Sequence, residues 1–365
     1  MSQPLRIAYI INSLEGGGAA LPVPAIADVL RAEGCEVAVF ALTGRDRRAL
    51  PAMLEAGLEV HVREGGETDH LAALAWLDRE VRRWRPTHLW TSLSRATLLG
   101  QIIGACRRLP VVSWQHNMFL KPWNRRLLRW QRNASALWVA DSEAVYRHTL
   151  ATLHVPAERL MTWPIFRADP AASRAAAWRP GEALRIGTLG RLHPAKGYDL
   201  LIAAAGRIET DTPLEIMIAG EGAERAALEA AAAALPPGRV RLAGYVEDTS
   251  RFLAGLHLYV QPSRREGLCV AAHEAMQAGL PVIASAVGEL AHSIAPGETG
   301  WLVPPGDVDA LAGALATAIA APEQLAAAGE AAHTRLLCRM GPERFAAAGA
   351  AIVARLRRSE GPPPI

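Results

Sequence analysis

Two carboxylates eight residues apart, Glu266 and Glu274, are the first residues in this chain whose spacing suggests chemistry. They lie in the stretch YVQPSRREGLCVAAHEAMQAGLPVIASAVGELAHS, residues 259–293. It reads as strand, Pro-Ser loop, acidic residue, helix, Gly-Leu-Pro turn and strand. On one continuous helix the two carboxylates would sit ~12 Å apart and ~80° round the axis, too far to share a small ligand. Glu266 is therefore expected in the loop, with a helix starting near Cys269. The backbone amides of Gly267, Leu268, Cys269 and Val270 would then have no helical partner. A helix start offers such donors and roughly half a positive charge, which suits phosphate or a polyhydroxylated ring. Taken alone, two glutamates at this spacing favour an ordinary loop-helix-strand unit of an α/β domain.

Other residues point the same way. Gly190-Arg191-Leu192-His193-Pro194-Ala195-Lys196-Gly197 follows an apolar run. A glycine turn brings backbone close, and a guanidinium and an ammonium five apart suit a diphosphate, each charge-assisted contact contributing ~1.5–3 kcal/mol. The chain uses only two lysines, Lys121 and Lys196, so the placing of one here carries weight. Glu15-Gly16-Gly17-Gly18 lies between the first strand and the first helix. Its third glycine is missing and the second strand ends in Ala41 and Leu42, with no acid for a ribose. That argues against a nicotinamide cofactor. Asp248 could accept from guanine N1 and N2 or simply N-cap the following helix, and the cap is the favoured reading. Asp307-Val308-Asp309 reads as a helix start, and no metal cluster is expected.

The run from Glu266 through Ser285 resembles the Glu-x7-Glu motif of retaining glycosyltransferases of family 4 (glycosyl transferases group 1). The resemblance implies a GT-B fold, α/β, with two Rossmann-like parallel-sheet domains facing across a cleft. It implies a nucleotide-diphospho-sugar donor, no cofactor and no metal. Arg191 and Lys196 would hold the phosphates beside Gly190, with the Gly16, Gly17 and Gly18 loop facing the cleft. Gly220 would lie near the nucleoside, Tyr245 and Val246 at the base, and Glu274 on the ribose. Gly267, Leu268, Cys269 and Val270 would meet the donor, and Glu266 the sugar. His116, after the strand ending at Trp114, matches the family histidine near the reacting sugar on the acceptor side. The chain departs from the pattern at Cys269, where glycine is usual, at Ala271, where proline is usual, and at His273, where an apolar residue is usual.

The activity so implied is retaining, metal-independent transfer of a hexosyl unit. The expected donor is a UDP-sugar in preference to GDP-mannose. The acceptor would be a saccharide or lipid-linked saccharide in cell-surface polysaccharide or glycolipid synthesis. The rival readings are a non-catalytic sugar-nucleotide-binding partner and a GT-B epimerase or phosphorylase. A phosphorylase of the glycogen type needs a cofactor lysine, and only Lys121 and Lys196 are available.

The elements that must position these residues are legible in outline. A chain of 365 residues suits two domains. Strand and helix patterns alternate, which argues for parallel sheets. The expected division is 1–166 as an acceptor-side domain, 167–183 as linker, 184–341 as the nucleotide-sugar domain, and 342–358 as a helix crossing back to the first. On the His70–Trp84 helix Leu71, Leu74, Leu77 and Val81 recur at three and four. A formal charge of +3 is too small for a general nucleic-acid binder. Four scattered cysteines suggest no disulfide framework or zinc site, and the N-terminus runs into a strand with no leader pattern. The expected location is cytoplasmic, peripheral to the inner face of the plasma membrane. That last expectation rests on residues 121–133, KPWNRRLLRWQRN. As a helix it would put Trp123, Leu127 and Trp130 on one face, packed on the domain. Lys121, Arg125, Arg126, Arg129 and Arg132 would meet anionic head groups.

Overall fold

The computed structural model describes residues 4–116 and 118–359. It divides into two compact units, Met1–Arg167 with Glu343–Ile365, and Ala168–Pro342. The first unit holds a seven-stranded sheet: β1 Arg6–Ile11, β2 Glu36–Ala41, β3 Glu59–Val62, β4 His88–Ser92, β5 Val111–Gln115, β6 Leu137–Ala140 and β7 Leu160–Thr162. Its order is β3-β2-β1-β4-β5-β6-β7, and every pair is parallel. These strands read as unbroken apolar runs because helices cover both faces. On one face Ala8 and Ile10 share a core with Phe40, Leu77, Val81 and Ile103. Leu77 and Val81 are turned inward, but Leu71, near the start of the same helix, is 84% exposed. Elsewhere in this unit Trp163 stacks on Trp114 at 5.1 Å and meets Phe345 of the C-terminal helix Pro342–Ser359 at 5.3 Å. Phe345, Ile352, Val353 and Leu356 bury that helix against the first unit.

The second unit holds β8 Leu184–Leu189, β9 Leu214–Ala219, β10 Val240–Gly244, β11 Leu258–Gln261, β12 Val282–Ser285 and β13 Gly300–Val303. The order is β10-β9-β8-β11-β12-β13, again parallel throughout. Both sheets therefore have the doubly wound order, whose ligand position lies outside the carboxyl ends of the strands where the order reverses. In the second unit that point falls between β8 and β11. Residues 167–183, read from sequence as linker, contain no helix or strand, and all but Arg167 belong to the second unit. They run along the second unit: Ala168 N–H donates to the Met340 carbonyl at 2.8 Å and Ala175 N–H to the Ala278 carbonyl at 2.7 Å.

Candidate functional site

The second-unit site is built on the two strand ends at the reversal. After β8 the chain turns through Gly190 into the short 3₁₀ turn Pro194–Lys196. After β11 it runs through Pro262 and Ser263 to Glu266, which lies in the loop, and the helix Val270–Gln277 starts four residues later. The two loops are tied together. Arg264 N–H donates to the Ala195 carbonyl at 2.8 Å, and the Arg264 guanidinium takes Asp199 in a two-pronged grip at 2.7 and 2.6 Å. Gly220 makes the neighbouring crossing possible: at φ 142° its backbone passes so close that a Cβ would lie 1.9 Å from the Gly190 carbonyl oxygen. Gly288 does the same beneath the acidic loop, where a Cβ would fall 2.3 Å from the Gly267 carbonyl oxygen.

Glu266 is buried. Its Oε1 accepts from Lys196 Nζ at 2.7 Å, from Ser263 Oγ at 2.6 Å and from Gln261 Nε2 at 3.4 Å. Lys196, expected on phosphate, is thus also the ion-pair partner of the buried Glu266; the ammonium has three donors and uses one here. Burial penalises that ammonium, yet the Glu266 carboxylate bonded to it works the other way, and the ammonium stays above its ordinary range. Burial, then the Glu266 carboxylate, push the Cys269 thiol well up, so it is a neutral side chain and no nucleophile. Arg191 is exposed on the same turn.

The N–H groups of Gly267, Leu268, Cys269 and Val270 make no hydrogen bond among the described residues. Cys269 is the N-cap of the helix and sits at φ 64°, ψ 73°, the left-handed region that costs a side-chain-bearing residue about 1–2 kcal/mol. His273, one turn on, supports it. Its Nδ1–H donates to the Cys269 carbonyl at 2.9 Å while Nε2 accepts from Ser293 Oγ at 2.8 Å. Glu274 lies on the same helix, and burial raises its pKa. It lines a hollow of about 150 Å³ with Thr249 and Ser250. Tyr245 is 55% exposed and, with Val246, follows the end of β10. Asp248 caps the next helix, accepting from Arg251 N–H at 2.8 Å, and Asp307 caps another, accepting from Ala310 N–H at 2.9 Å. Among the described residues no cluster of three His, Cys, Asp or Glu side chains is placed to hold a metal.

The first unit carries the remaining predicted residues, at the carboxyl edge of its own sheet. Gly16, Gly17 and Gly18 follow β1, but the Gly16 N–H is taken by the Asp46 carboxylate at 3.2 Å. His116 follows β5, and its Nε2 lies 2.7 Å from Ser92 Oγ. A cavity of about 660 Å³ opens nearby at the same edge, lined by Arg45, Glu67, Arg95, Ile102, Lys121 and Leu127 among others. The helix Pro122–Trp130 beside it corrects the sequence reading. Leu128 is its buried residue, whereas Trp123 is 69%, Trp130 75% and Leu127 36% exposed. The aromatic face points outward together with Arg125, Arg126 and Arg129, because Leu128, on another side of the helix, is what joins the core with Trp138 and Val145.

Sequence reasoning missed Ser263, Gln261 and the Arg264–Asp199 clamp. Ser263 had a signal: a serine three residues before a glutamate can reach it, as in a capping box.

Two doubly wound parallel sheets, with an acidic loop and paired basic loop at the switch point of one of them, define the class: GT-B glycosyltransferases. Residues 183–321 match the family described as Glycosyl transferases group 1, and residues 16–166 match Glycosyltransferase Family 4. The chain belongs to the family 4 glycosyltransferases. It is 32% identical over 134 residues to a GDP-mannose-dependent alpha-mannosyltransferase of Mycobacterium tuberculosis, a match that spans 36% of this chain and 33% of that protein. It is 28% identical over 321 residues to a phosphatidyl-myo-inositol mannosyltransferase of Mycobacterium leprae, covering 82% of this chain and 83% of that one. The crystal structure of Anabaena HepE in complex with UDP superposes with a TM-score of 0.82 at 20% identity, over 97% of this chain and 100% of the other.

Proposed function

We propose that this protein transfers a hexosyl unit from a nucleotide-diphospho-sugar, with retention and without a metal, to a saccharide or lipid-linked acceptor in cell-surface polysaccharide or glycolipid synthesis. The observation that carries the reading is the set of four amides, residues 267–270, that are unpaired among the described residues, beside the Lys196–Glu266 pair. Charge develops on the leaving diphosphate in the transition state, and preorganised donors aimed there are the usual largest catalytic term. The amides, Arg191 and Lys196 supply them. The hydrogen bonds from Lys196, Gln261 and Ser263 all land on Oε1 of Glu266, which points to Oε2 as the oxygen that takes a sugar hydroxyl and faces the developing oxocarbenium. Glu274 takes the ribose. The acceptor hydroxyl attacks from the face the diphosphate leaves, and the diphosphate takes its proton.

The first-unit cavity, lined both by apolar Ile102 and Leu127 and by charged Arg45 and Glu67, suits an acceptor that is part saccharide and part hydrocarbon. The sequence expectation of a UDP-sugar meets relatives named as mannosyltransferases. Closeness in sequence weighs more than a likeness of fold, so GDP-mannose is the first donor to test and UDP-glucose the second. Purified protein should release sugar slowly from one of the two, and excess EDTA should leave the rate unchanged. Glu266→Gln should lose most of this turnover, on the order of a hundredfold, while still binding the nucleoside diphosphate. Full turnover in the variant, or loss with EDTA that Mg²⁺ or Mn²⁺ restores, would defeat the assignment.

A further inference from the structure

Three adjacent parallel strands of the first unit end at one level and deliver a serine, a histidine and an aspartate side by side. Ser92 closes β4, opposite Trp114 of β5. His116 follows Gln115, which is opposite Ala140 of β6, and Asp141 follows Ala140. Ser92 Oγ lies 2.7 Å from His116 Nε2. His116 Nδ1 lies 3.6 Å from Asp141 Oδ2, with the two side chains 7% and 2% exposed. The Trp114 ring sits against the imidazole, centroids 5.3 Å apart.

The order Ser-His-Asp suggests a nucleophile, but Ser92 is wholly buried and no substrate carbon could reach its oxygen. The cluster instead acts on the histidine. A carboxylate on the Nδ1 side favours the tautomer with the proton on Nδ1, because the N–H dipole then points at the negative charge. At 3.6 Å it works by charge more than by a direct hydrogen bond. Nε2 is then an acceptor, and the Ser92 hydroxyl donates to it. Backbone strain falls at the same place. Leu93, directly after Ser92, has φ 75° and ψ 157°, a region that costs a residue other than glycine about 1–3 kcal/mol and persists where a site needs it. The strained turn leads from β4 into the helix Ser94–Arg107, whose Ala96 N–H is held by Asn12 Oδ1 at 2.8 Å.

We propose that Asp141 and Ser92 are positioning residues for His116, fixing its ring orientation and its Nδ1–H tautomer at the carboxyl edge of the first sheet. The kinetic part of the test rests on the transferase reading; the spectroscopic part does not. Imidazole ¹⁵N shifts of the full-length protein, with the His116 signals assigned by their loss in His116→Ala, should show a protonated Nδ1. In Asp141→Asn, where an amide N–H can donate to that nitrogen, the proton should move to Nε2. Asp141→Asn and Ser92→Ala should each lower kcat on the order of tenfold with KM for the sugar nucleotide little changed, and Ser92→Thr, which restores a hydroxyl, should recover activity. In a His116→Ala background neither change should cost anything further, since a residue that acts only through another has nothing left to lose. An Nε2-protonated ring in the native protein, an unmoved proton in Asp141→Asn, or losses that add to that of His116→Ala would each overturn the proposal. Should Asp141→Asn fail to fold, the native tautomer and the two Ser92 variants decide it; should the protein transfer no sugar at all, the tautomer decides alone.

Discussion

His273 shows how one side chain can hold a site it never faces. Nδ1–H donates to the Cys269 carbonyl, and the neutral ring leaves Nε2 able to accept from Ser293 Oγ. Burial drives its pKa down to about 4, with the Cys269 carbonyl opposing and Arg339 adding to the fall. His88 in the first unit is also held at about 4, by burial alone. Each folded value lies below the unfolded value of about 6.5. Between the two the unfolded chain binds more protons, so stability rises with pH through that window and is lost as pH falls from about 6.5 towards 4. Each histidine should remove on the order of 3 kcal/mol across the window. Denaturant midpoints measured from pH 7 to pH 4 should fall accordingly. His88→Leu and His273→Gln should each flatten the slope; the same acid slope in both variants would rule these histidines out. A residue that departs from the family pattern was visible in the sequence at 273. Its purpose was not, because Ser293 is twenty residues away and only the fold brings it in.

At the scale of elements, strands were the most legible part. β1, β8, β9, β11, β12 and β13 coincide with the apolar runs because a parallel strand covered on both faces has no polar face to blur its ends. The edge strand β7, three residues long, left no such run. The loop position of Glu266 followed from helix geometry alone. Its pairing with Lys196 did not, since the partners are seventy residues apart and share only the switch point of the sheet. The helix Pro122–Trp130 marks the other limit. Periodicity locates an apolar face but does not say which side the core is on, and here Leu128 settles it. A surface helix that exposes two tryptophans among arginines has the composition of a membrane-interface helix, and no single helix among the described residues is long and apolar enough to cross a bilayer. The protein should therefore co-sediment with vesicles containing anionic lipid and much less with zwitterionic ones, and salt should weaken the binding. Trp123→Ser with Trp130→Ser should weaken it as much as Arg125→Glu with Arg129→Glu, because the aromatics face outward. Binding that ignores lipid charge, or that the tryptophan changes leave intact, would end the membrane reading.

At the scale of the molecule, two sheets of the same winding carry different chemistry on the same edge. The first places a buried histidine network and an amphipathic cavity there; the second places the start of the helix Val270–Gln277, a basic loop and a buried carboxylate. The account assigns the donor's diphosphate to the second unit, and calorimetric binding of nucleoside diphosphates against nucleosides tests that most directly. UDP or GDP should bind the intact protein far more tightly than uridine or guanosine. Arg191→Ala, an exposed change that leaves Glu266 paired, should weaken the diphosphate by roughly tenfold to a hundredfold and leave the nucleoside unchanged. Equal weakening of both ligands, or no preference for the diphosphate in the native protein, would contradict it.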